Sequence, residues 1–252
     1  MKNIFLILTL ITVTMLNAQL KPIAYADENQ KLEGFLVKAN KKNKGSVLLL
    51  PAWMGIDNNA KLNATELAKL GYTTFVADIY GIDKRPSNTQ EAGKLAGYYK
   101  SNHLEYQKRI QLALDQLVKA GANPDKIAVI GYCFGGTGAV ETARANFKVK
   151  GVVSFHGGLG RNKDREIVQI KPKVLILHGA DDAYVPESEI KLFQDEMRTA
   201  KTDWQMVYYA NSVHGFTHID AGSNNSSGFA YNELAAKRSW SAMLDFFDEI
   251  FK

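Results

Sequence analysis

The one cysteine of the chain, Cys133, stands between two glycines in the stretch GYCFG at residues 131–135. Aliphatic residues precede this stretch and residues with helical spacing follow it, so the pattern predicts a tight turn from a buried strand into a helix. Glycines on either side avoid collisions that side chains would make at such a turn. The free N–H groups at the start of the helix favour a thiolate. We therefore interpret Cys133 as a nucleophile, with an inert core thiol as the alternative.

A nucleophilic thiol needs a general base and a group that orients the base. When the nucleophile lies on a turn of this kind, the expected order along the chain is nucleophile, acid and histidine. Asp181 and Asp182 follow a strand-like run that ends at His178, and composition alone does not choose between the two aspartates. His214 follows the last strand-like run and is the predicted base, and His218 is its rival.

Strand-like runs alternate with helical segments along most of the chain, after two extended runs around Glu28 that predict an N-terminal antiparallel hairpin. The later runs are residues 46–53, 72–80, 126–132, 151–157, 173–179 and 204–210. The helical segments are residues 60–70, about 103–120, 136–144, 186–199 and about 234–251. This alternation predicts a three-layer α/β sandwich with a mostly parallel central sheet. Functional groups should lie on the loops beyond the carboxyl ends of its strands.

The first 18 residues follow a different pattern. Lys2 is followed by an apolar run from Ile4 to about Leu16 and by small or polar residues up to Ala18. This order predicts a secretory signal peptide, with an uncleaved anchor as the alternative. Residues 19–252 should then form one exported domain, periplasmic or secreted, without stable insertion into a membrane after cleavage.

Composition limits the other classes of function. The chain has 31 basic and 26 acidic residues, a formal net charge of +5, and no long basic block. This excess gives little support to nucleic-acid binding. No histidine and carboxylate cluster has the spacing of metal ligands, so we expect neither a metal nor another cofactor. The expected partner is a small-molecule substrate, and the expected state is a monomer.

These motifs resemble those of the dienelactone hydrolases, a family of the α/β-hydrolase fold, and the similarity covers residues 23–250. The family's G-x-C-x-G motif matches residues 131–135. Its acid stands in a D-x-x-V-P context, which matches residues 182–186 and selects Asp182 over its neighbour. Its base precedes a small residue and a phenylalanine, as His214 does here. The resemblance implies that the cysteine, this aspartate and this histidine form a catalytic triad.

The resemblance also implies an oxyanion hole made by two backbone N–H groups, which belong here to Phe134 and Trp53. Two positions depart from the family pattern. Dienelactone hydrolases proper have a glutamate where this chain has Ala52, and an arginine that holds a substrate carboxylate where this chain has His218. Both departures argue against the dienelactone itself as the substrate.

Three residues are candidates for contacts with the substrate. Arg85, in the loop YGIDKRPS after a strand-like run, is a cation that could replace the missing arginine, with a solvated loop residue as the alternative. His218 occupies the position of that arginine. Tyr231 lies in residues 230–240, a segment that resembles the tail of many family members.

The resulting hypothesis is an ester or lactone hydrolase of the carboxymethylenebutenolidase type that works through a thioester on Cys133. One alternative is an acyltransferase with the same triad, which product analysis with added alcohols or amines would distinguish. The other is a non-catalytic ligand-binding module on the same fold, which turnover of any activated ester would exclude.

Overall fold

A computed structural model of the chain describes residues 19–252, in which eight strands form one sheet. The strands are β1 (Lys21–Asp27), β2 (Gln30–Val37), β3 (Gly45–Leu50), β4 (Tyr72–Val76), β5 (Ile127–Tyr132), β6 (Gly151–Phe155), β7 (Lys173–Gly179) and β8 (Trp204–Tyr209). Their order across the sheet is β1-β2-β4-β3-β5-β6-β7-β8. The predicted signal peptide, residues 1–18, lies outside the described residues.

The first two strands form the antiparallel hairpin that the sequence predicts. Asp27 pairs with Gln30, and Glu28 in the turn has a φ of 51°. β2 also pairs antiparallel with β4, whereas each neighbouring pair from β4 to β8 across the sheet is parallel. The carboxyl ends of the parallel strands therefore meet at one edge, where the sequence places the candidate site.

Among residues 19–252, six α-helices cover the two faces of the sheet. They are α1 (Asn58–Leu70), α2 (Thr89–Ser101), α3 (His103–Lys119), α4 (Phe134–Arg144), α5 (Glu187–Thr199) and α6 (Glu233–Ile250). Helices α2 to α5 pack on one face, and α1 and α6 pack on the other. Adjacent residues of β3 enter opposite cores, Leu48 on the first face and Leu49 on the second. The predicted three-layer α/β fold is confirmed.

Helix α2 is the element that the sequence pattern did not predict. It contains Gly93 and Gly97 and buries only three of its 13 residues, so its apolar periodicity is weak. Its start is fixed locally, because Asn88 Oδ1 accepts a hydrogen bond from the N–H of Glu91 at 2.9 Å. Within the described residues, neither this helix nor another is long and apolar enough to cross a membrane.

Candidate active site

Cys133 lies on the turn that joins β5 to α4, at the N-cap of that helix, with φ 54° and ψ −113°. A left-handed φ is unfavourable for a cysteine and is held here by the surrounding structure. A Cβ atom on Gly131 would collide with the backbone of Gly135, and one on Gly135 would collide with the carbonyl group of Leu50. The two glycines are therefore required where the nucleophile turn packs against β3.

The structure brings Cys133, His214 and Asp182 into one line of hydrogen bonds. His214 Nε2 lies 3.1 Å from Cys133 Sγ, and His214 Nδ1 lies 2.8 Å from Asp182 Oδ2. Asp182 is 5% exposed, and its Oδ1 accepts a hydrogen bond from the N–H of Tyr184 at 3.0 Å. Asp181 is exposed at this turn. The geometry therefore agrees with the choice of Asp182, and the catalytic roles of the three residues stay a prediction.

The loop that carries His214 is held by backbone contacts as well as by the aspartate. His214 forms a parallel β-bridge with Phe229, and the N–H of Ala230 donates to the carbonyl of His214 at 3.1 Å. Gly215 follows with φ 72°, and a Cβ atom there would collide with the ring of Phe229. These contacts fix the imidazole before any substrate is bound.

The environment favours the ionised form of the cysteine and histidine pair. Burial opposes ionisation of Cys133, but the hydrogen bond and charge of His214, with the charge of Lys100, place the pKa of the thiol below its usual value. Burial also opposes protonation of His214, but hydrogen bonds to Asp182 and Cys133 raise its pKa to about 9. Both shifts favour a thiolate beside an imidazolium over the neutral pair.

The two residues predicted for the oxyanion hole both lie beside the thiol. Phe134 is the first residue of α4, and a hydrogen bond from its backbone to Cys133 helps to lower the pKa of the thiol. Trp53 borders the space next to the thiol, and its carbonyl accepts a hydrogen bond from Tyr80 Oη at 2.8 Å, which fixes its loop. Two N–H groups held in this way can stabilise an oxyanion.

Ala52 lines a small cavity of about 50 Å³ next to Cys133. Tyr132 and His156 also line it, and neither Tyr132 Oη nor His156 Nδ1 has a hydrogen-bond partner within residues 19–252. The His156 ring contacts the His214 ring edge-on at 5.2 Å, and burial lowers the pKa of His156 well below its usual value. His156 is therefore a neutral neighbour of the predicted base.

A cavity of about 720 Å³ opens in front of the thiol. It is lined by the predicted residues Trp53, Cys133, His214 and His218, together with seven that the sequence did not single out as site residues. The seven are Met54, Thr89, Lys100, Gly158, Tyr184, Val185 and Phe229. Tyr184 lies inside the D-x-x-V-P segment, and this position beside the acid is the sequence feature that could have indicated its place at the site. The Tyr184 ring packs edge-on against the His214 ring, with 5.1 Å between the ring centroids.

The structure places His218 and Tyr231, the two C-terminal candidates for substrate contacts, in different cavities. His218 lines the cavity, and its Nε2 lies 3.7 Å from Asp57 Oδ2, an interaction that raises the pKa of His218. Tyr231 lines a different groove, together with Leu62 and Trp240. His218 is therefore placed to contact a substrate, whereas Tyr231 is not brought to the cavity.

The structure does not bring Arg85 to the cavity either. Arg85 Nη2 donates to Asp78 Oδ2 and to the carbonyl oxygen of Glu33, each at 3.1 Å. Asp78 is buried, so the guanidinium serves as its counter-ion at the edge of the sheet. The prediction of a substrate contact for Arg85 is corrected on this geometry, and the cation that lines the cavity is Lys100.

We expect Arg85→Met to change stability and not substrate preference. The side chain of Arg85 is 36% exposed and Asp78 keeps hydrogen bonds from other N–H groups, so the free energy of unfolding should fall by about 1 kcal/mol. Urea unfolding measures the loss, with Lys84→Met as the matched control. A change of more than threefold in the kcat/KM ratio of a carboxylated ester to its methyl ester would return Arg85 to the substrate site.

No group of three His, Cys, Asp or Glu side chains in the described part of the chain is placed to hold a metal ion. The thiol, the imidazole and the backbone N–H groups already described are of the types that nucleophilic acyl transfer uses.

A mostly parallel sheet with Cys133 on the strand-to-helix turn after β5, where this fold carries its nucleophile, is typical of the α/β-hydrolase class. The model of the dienelactone hydrolase family matches residues 32–251. The chain belongs to this family and is therefore an enzyme of the ester and lactone hydrolase class.

Relatives and solved structures agree with this assignment. The chain is 33% identical to a dienelactone hydrolase-like promiscuous phosphotriesterase from metagenomic libraries, with a TM-score of 0.86 over 93% of this chain and 99% of the other. It is 30% identical over 146 residues to an uncharacterized protein of Caenorhabditis elegans, covering 57% of this chain and 92% of that protein. It is 22% identical over 161 residues to the carboxymethylenebutenolidase homolog of Homo sapiens, covering 64% of this chain and 65% of that protein.

Proposed function

We propose that the enzyme hydrolyses esters and lactones through a thioester on Cys133. The observation that carries this proposal is the buried line of hydrogen bonds from Asp182 through His214 to the thiol. In this mechanism Cys133 is the nucleophile, His214 moves the protons, and Asp182 holds the imidazole in orientation.

In the first step the Cys133 thiolate attacks the carbonyl carbon of the substrate. The carbonyl oxygen becomes an oxyanion and accepts hydrogen bonds from the N–H groups of Trp53 and Phe134. When the C–O bond to the leaving group breaks, the imidazolium of His214 gives its proton to the departing oxygen. The products are a thioester on Cys133 and an alcohol, or the opened chain in the case of a lactone.

In the second step water replaces the thiol. The thioester carries no charge, so the thiolate that raised the pKa of His214 is gone and the imidazole becomes a base. His214 takes a proton from a water molecule, whose oxygen attacks the thioester carbonyl. The C–S bond then breaks, the carboxylic acid leaves, and the thiolate and imidazolium pair is restored.

The proposed nucleophile restricts the substrate by its leaving group. A thiolate leaves a tetrahedral intermediate easily, so the intermediate returns to substrate unless the other group leaves at least as well. Enol lactones, enol esters and aryl esters meet this condition, and alkyl amides do not. The chain's similarity to a carboxymethylenebutenolidase homolog supports the unsaturated lactone within this set.

Purified enzyme should hydrolyse 4-nitrophenyl acetate and an unsaturated enol lactone, with a peptide amide slower by about three orders of magnitude or more. Initial rates by absorbance and by acid release measure the series. Cleavage of the amide at a rate close to that of the aryl ester would contradict the leaving-group argument. Absence of turnover with both activated substrates would contradict the proposed function.

The pH dependence follows from the two shifted groups. Protonation of the thiolate should lower kcat/KM as the pH falls through the pKa of Cys133, which lies below its usual value. Loss of the His214 proton should lower kcat/KM as the pH rises through about 9, more for an alkyl lactone than for an aryl ester. In Asp182→Asn the alkaline limb should move to lower pH, because the hydrogen bond to Asp182 raises this pKa. If the alkaline limb of the kcat/KM profile stays at the same pH in Asp182→Asn, a group other than His214 causes it.

A further inference from the structure

A side pocket of about 470 Å³ lies next to the 720 Å³ cavity in front of the thiol. The two spaces share Lys100, Gly158 and Tyr184 as a common wall. The remaining wall of the side pocket is polar and includes Ser101 and Asn162. Pockets of this size bind small organic groups, with polar side chains setting their orientation.

Three polar groups of the side pocket surround Gly158. A Cβ atom at Gly158 would lie 3.3 Å from Thr137 Oγ1, 3.7 Å from Lys100 Nζ and 3.8 Å from Glu189 Oε1, so a larger residue there would crowd all three groups. The ammonium group is a donor, the carboxylate is an acceptor, and the hydroxyl group is both. The wall of the side pocket beside Gly158 therefore offers a ligand hydroxyl group both a donor and an acceptor.

The hydroxyl group of Thr137 is free to form a hydrogen bond with a ligand. The residue is 6% exposed, and its Oγ1 has no partner within residues 19–252. A buried hydroxyl group without a partner is unfavourable, so a bound polar group would stabilise it. The Glu189 carboxylate is held in place, because its Oε1 accepts hydrogen bonds from the N–H groups of Leu159 and Gly160 at 2.6 and 2.9 Å.

The charges around the side pocket favour a neutral polar ligand over an anion. Lys100 and Glu189 carry opposite charges and face the same space. Arg161, the other cation of the wall, lies 3.6 Å from Glu196 Oε1 and is thus paired. Glu141, the other anion, pairs with arginine side chains at both oxygens. A carboxylate would therefore meet a cation and an anion together, whereas a hydroxyl group suits both.

Tyr184 adds an apolar surface to this polar set. It is 63% exposed and stands between the side pocket and His214. An exposed aromatic ring can cover the C–H groups of a hydroxylated ring while its neighbours bind the hydroxyl groups. Thr137 also lies one helical turn from the thiol, since its N–H donates to the carbonyl of Cys133 at 3.1 Å. An acyl group on Cys133 Sγ is thus within reach of the pocket.

We propose that the side pocket binds a hydroxylated acyl group, so that esters of polyhydroxy acids are preferred substrates. This inference rests on the proposed hydrolysis and names its substrate class. Lys100, Thr137 and Glu189 bind hydroxyl groups, and Gly158 leaves the room for them.

The experiment compares two aryl esters whose acyl rings match in size, the 4-nitrophenyl esters of quinic acid and of cyclohexanecarboxylic acid. Wild-type kcat/KM should be about tenfold higher for the hydroxylated ester, the effect of one or two hydrogen bonds to charged groups. In Lys100→Met and Gly158→Ala the ratio of the two kcat/KM values should fall to about one. Lys100→Met should also slow both esters, because the charge of Lys100 helps to lower the pKa of the thiol. The matched controls are Lys94→Met and Gly97→Ala, on exposed positions of α2.

The remaining outcomes would overturn the inference. A wild-type ratio near one, with both esters hydrolysed, would refute the pocket and leave the proposed hydrolysis intact. An equal fall for both esters in Lys100→Met would show that Lys100 acts on the thiol alone. A larger effect of Lys100→Met on the 4-nitrophenyl monoester of glutaric acid would identify a carboxylate site. Absence of turnover with every ester would instead contradict the proposed function.

Discussion

Replacing Cys133 with alanine should lower kcat/KM for 4-nitrophenyl acetate by about four orders of magnitude, the usual cost of removing a nucleophile from a triad. The chain has no other cysteine, so no second thiol can take over. The remaining rate would come from the oxyanion hole and from His214 acting on water. Steady-state absorbance assays and an unfolding curve measured on the same preparation separate loss of chemistry from loss of fold.

Cys133→Ser is the matched variant for this experiment. Serine keeps the small side chain at the strained turn, but its hydroxyl group is a much weaker acid than a thiol and gains far less from the ion pair with His214. We expect Cys133→Ser to fold like the wild type and to lose at least a hundredfold in kcat/KM. Retention of more than a tenth of the wild-type kcat/KM in Cys133→Ala would remove the cysteine from the mechanism.

The second large effect is expected for His214→Ala. Without the imidazole, the thiol loses the hydrogen bond and the charge that offset its burial, so its pKa should rise above the usual value. Alkylation by iodoacetamide at pH 7 should slow by tenfold or more, and kcat/KM for aryl esters should fall by about three orders of magnitude. Mass spectrometry of the labelled protein gives the alkylation rate directly.

His103→Ala is the control, because His103 begins α3 and does not line the cavity. It should alkylate at the wild-type rate. Equal alkylation rates for wild type and His214→Ala would show that the thiol is activated by another group. His218→Ala should change the rate by less than threefold, because the hydrogen bond to Cys133 comes from His214 and not from His218.

Much of the fold follows from local pattern. The alternation of aliphatic runs and helical spacing predicted all eight strands and five of the six helices to within a few residues. It missed α2, where two glycines and few buried residues leave little apolar periodicity. This miss mattered, because α2 carries Lys100 to the cavity.

Some residues of the candidate site could likewise be predicted from the sequence, and others could not. Cys133, His214 and the pair Asp181 and Asp182 could be picked out because each follows a strand at the carboxyl edge of the sheet. The choice of Asp182 within that pair came from the family resemblance. Arg85 also follows a strand, but its guanidinium turns back to Asp78 and to the carbonyl oxygen of Glu33 in β2. The order of residues along the chain does not show which way the Arg85 side chain points.

The side pocket was beyond sequence reasoning altogether. Lys100, Thr137 and Glu189 come from three helices and meet around Gly158. No spacing along the chain links these positions. Only tertiary packing does.

The most direct test of the proposed mechanism is the mass of the enzyme during turnover. Wild type mixed with excess 4-nitrophenyl acetate and quenched in acid within milliseconds should gain the mass of one acetyl group, and peptide mapping should place it on Cys133. Hydroxylamine should remove it, as expected for a thioester. An acetyl group on another residue, or rapid turnover with no acetylated enzyme in wild type or in Asp182→Asn, would contradict the thioester mechanism.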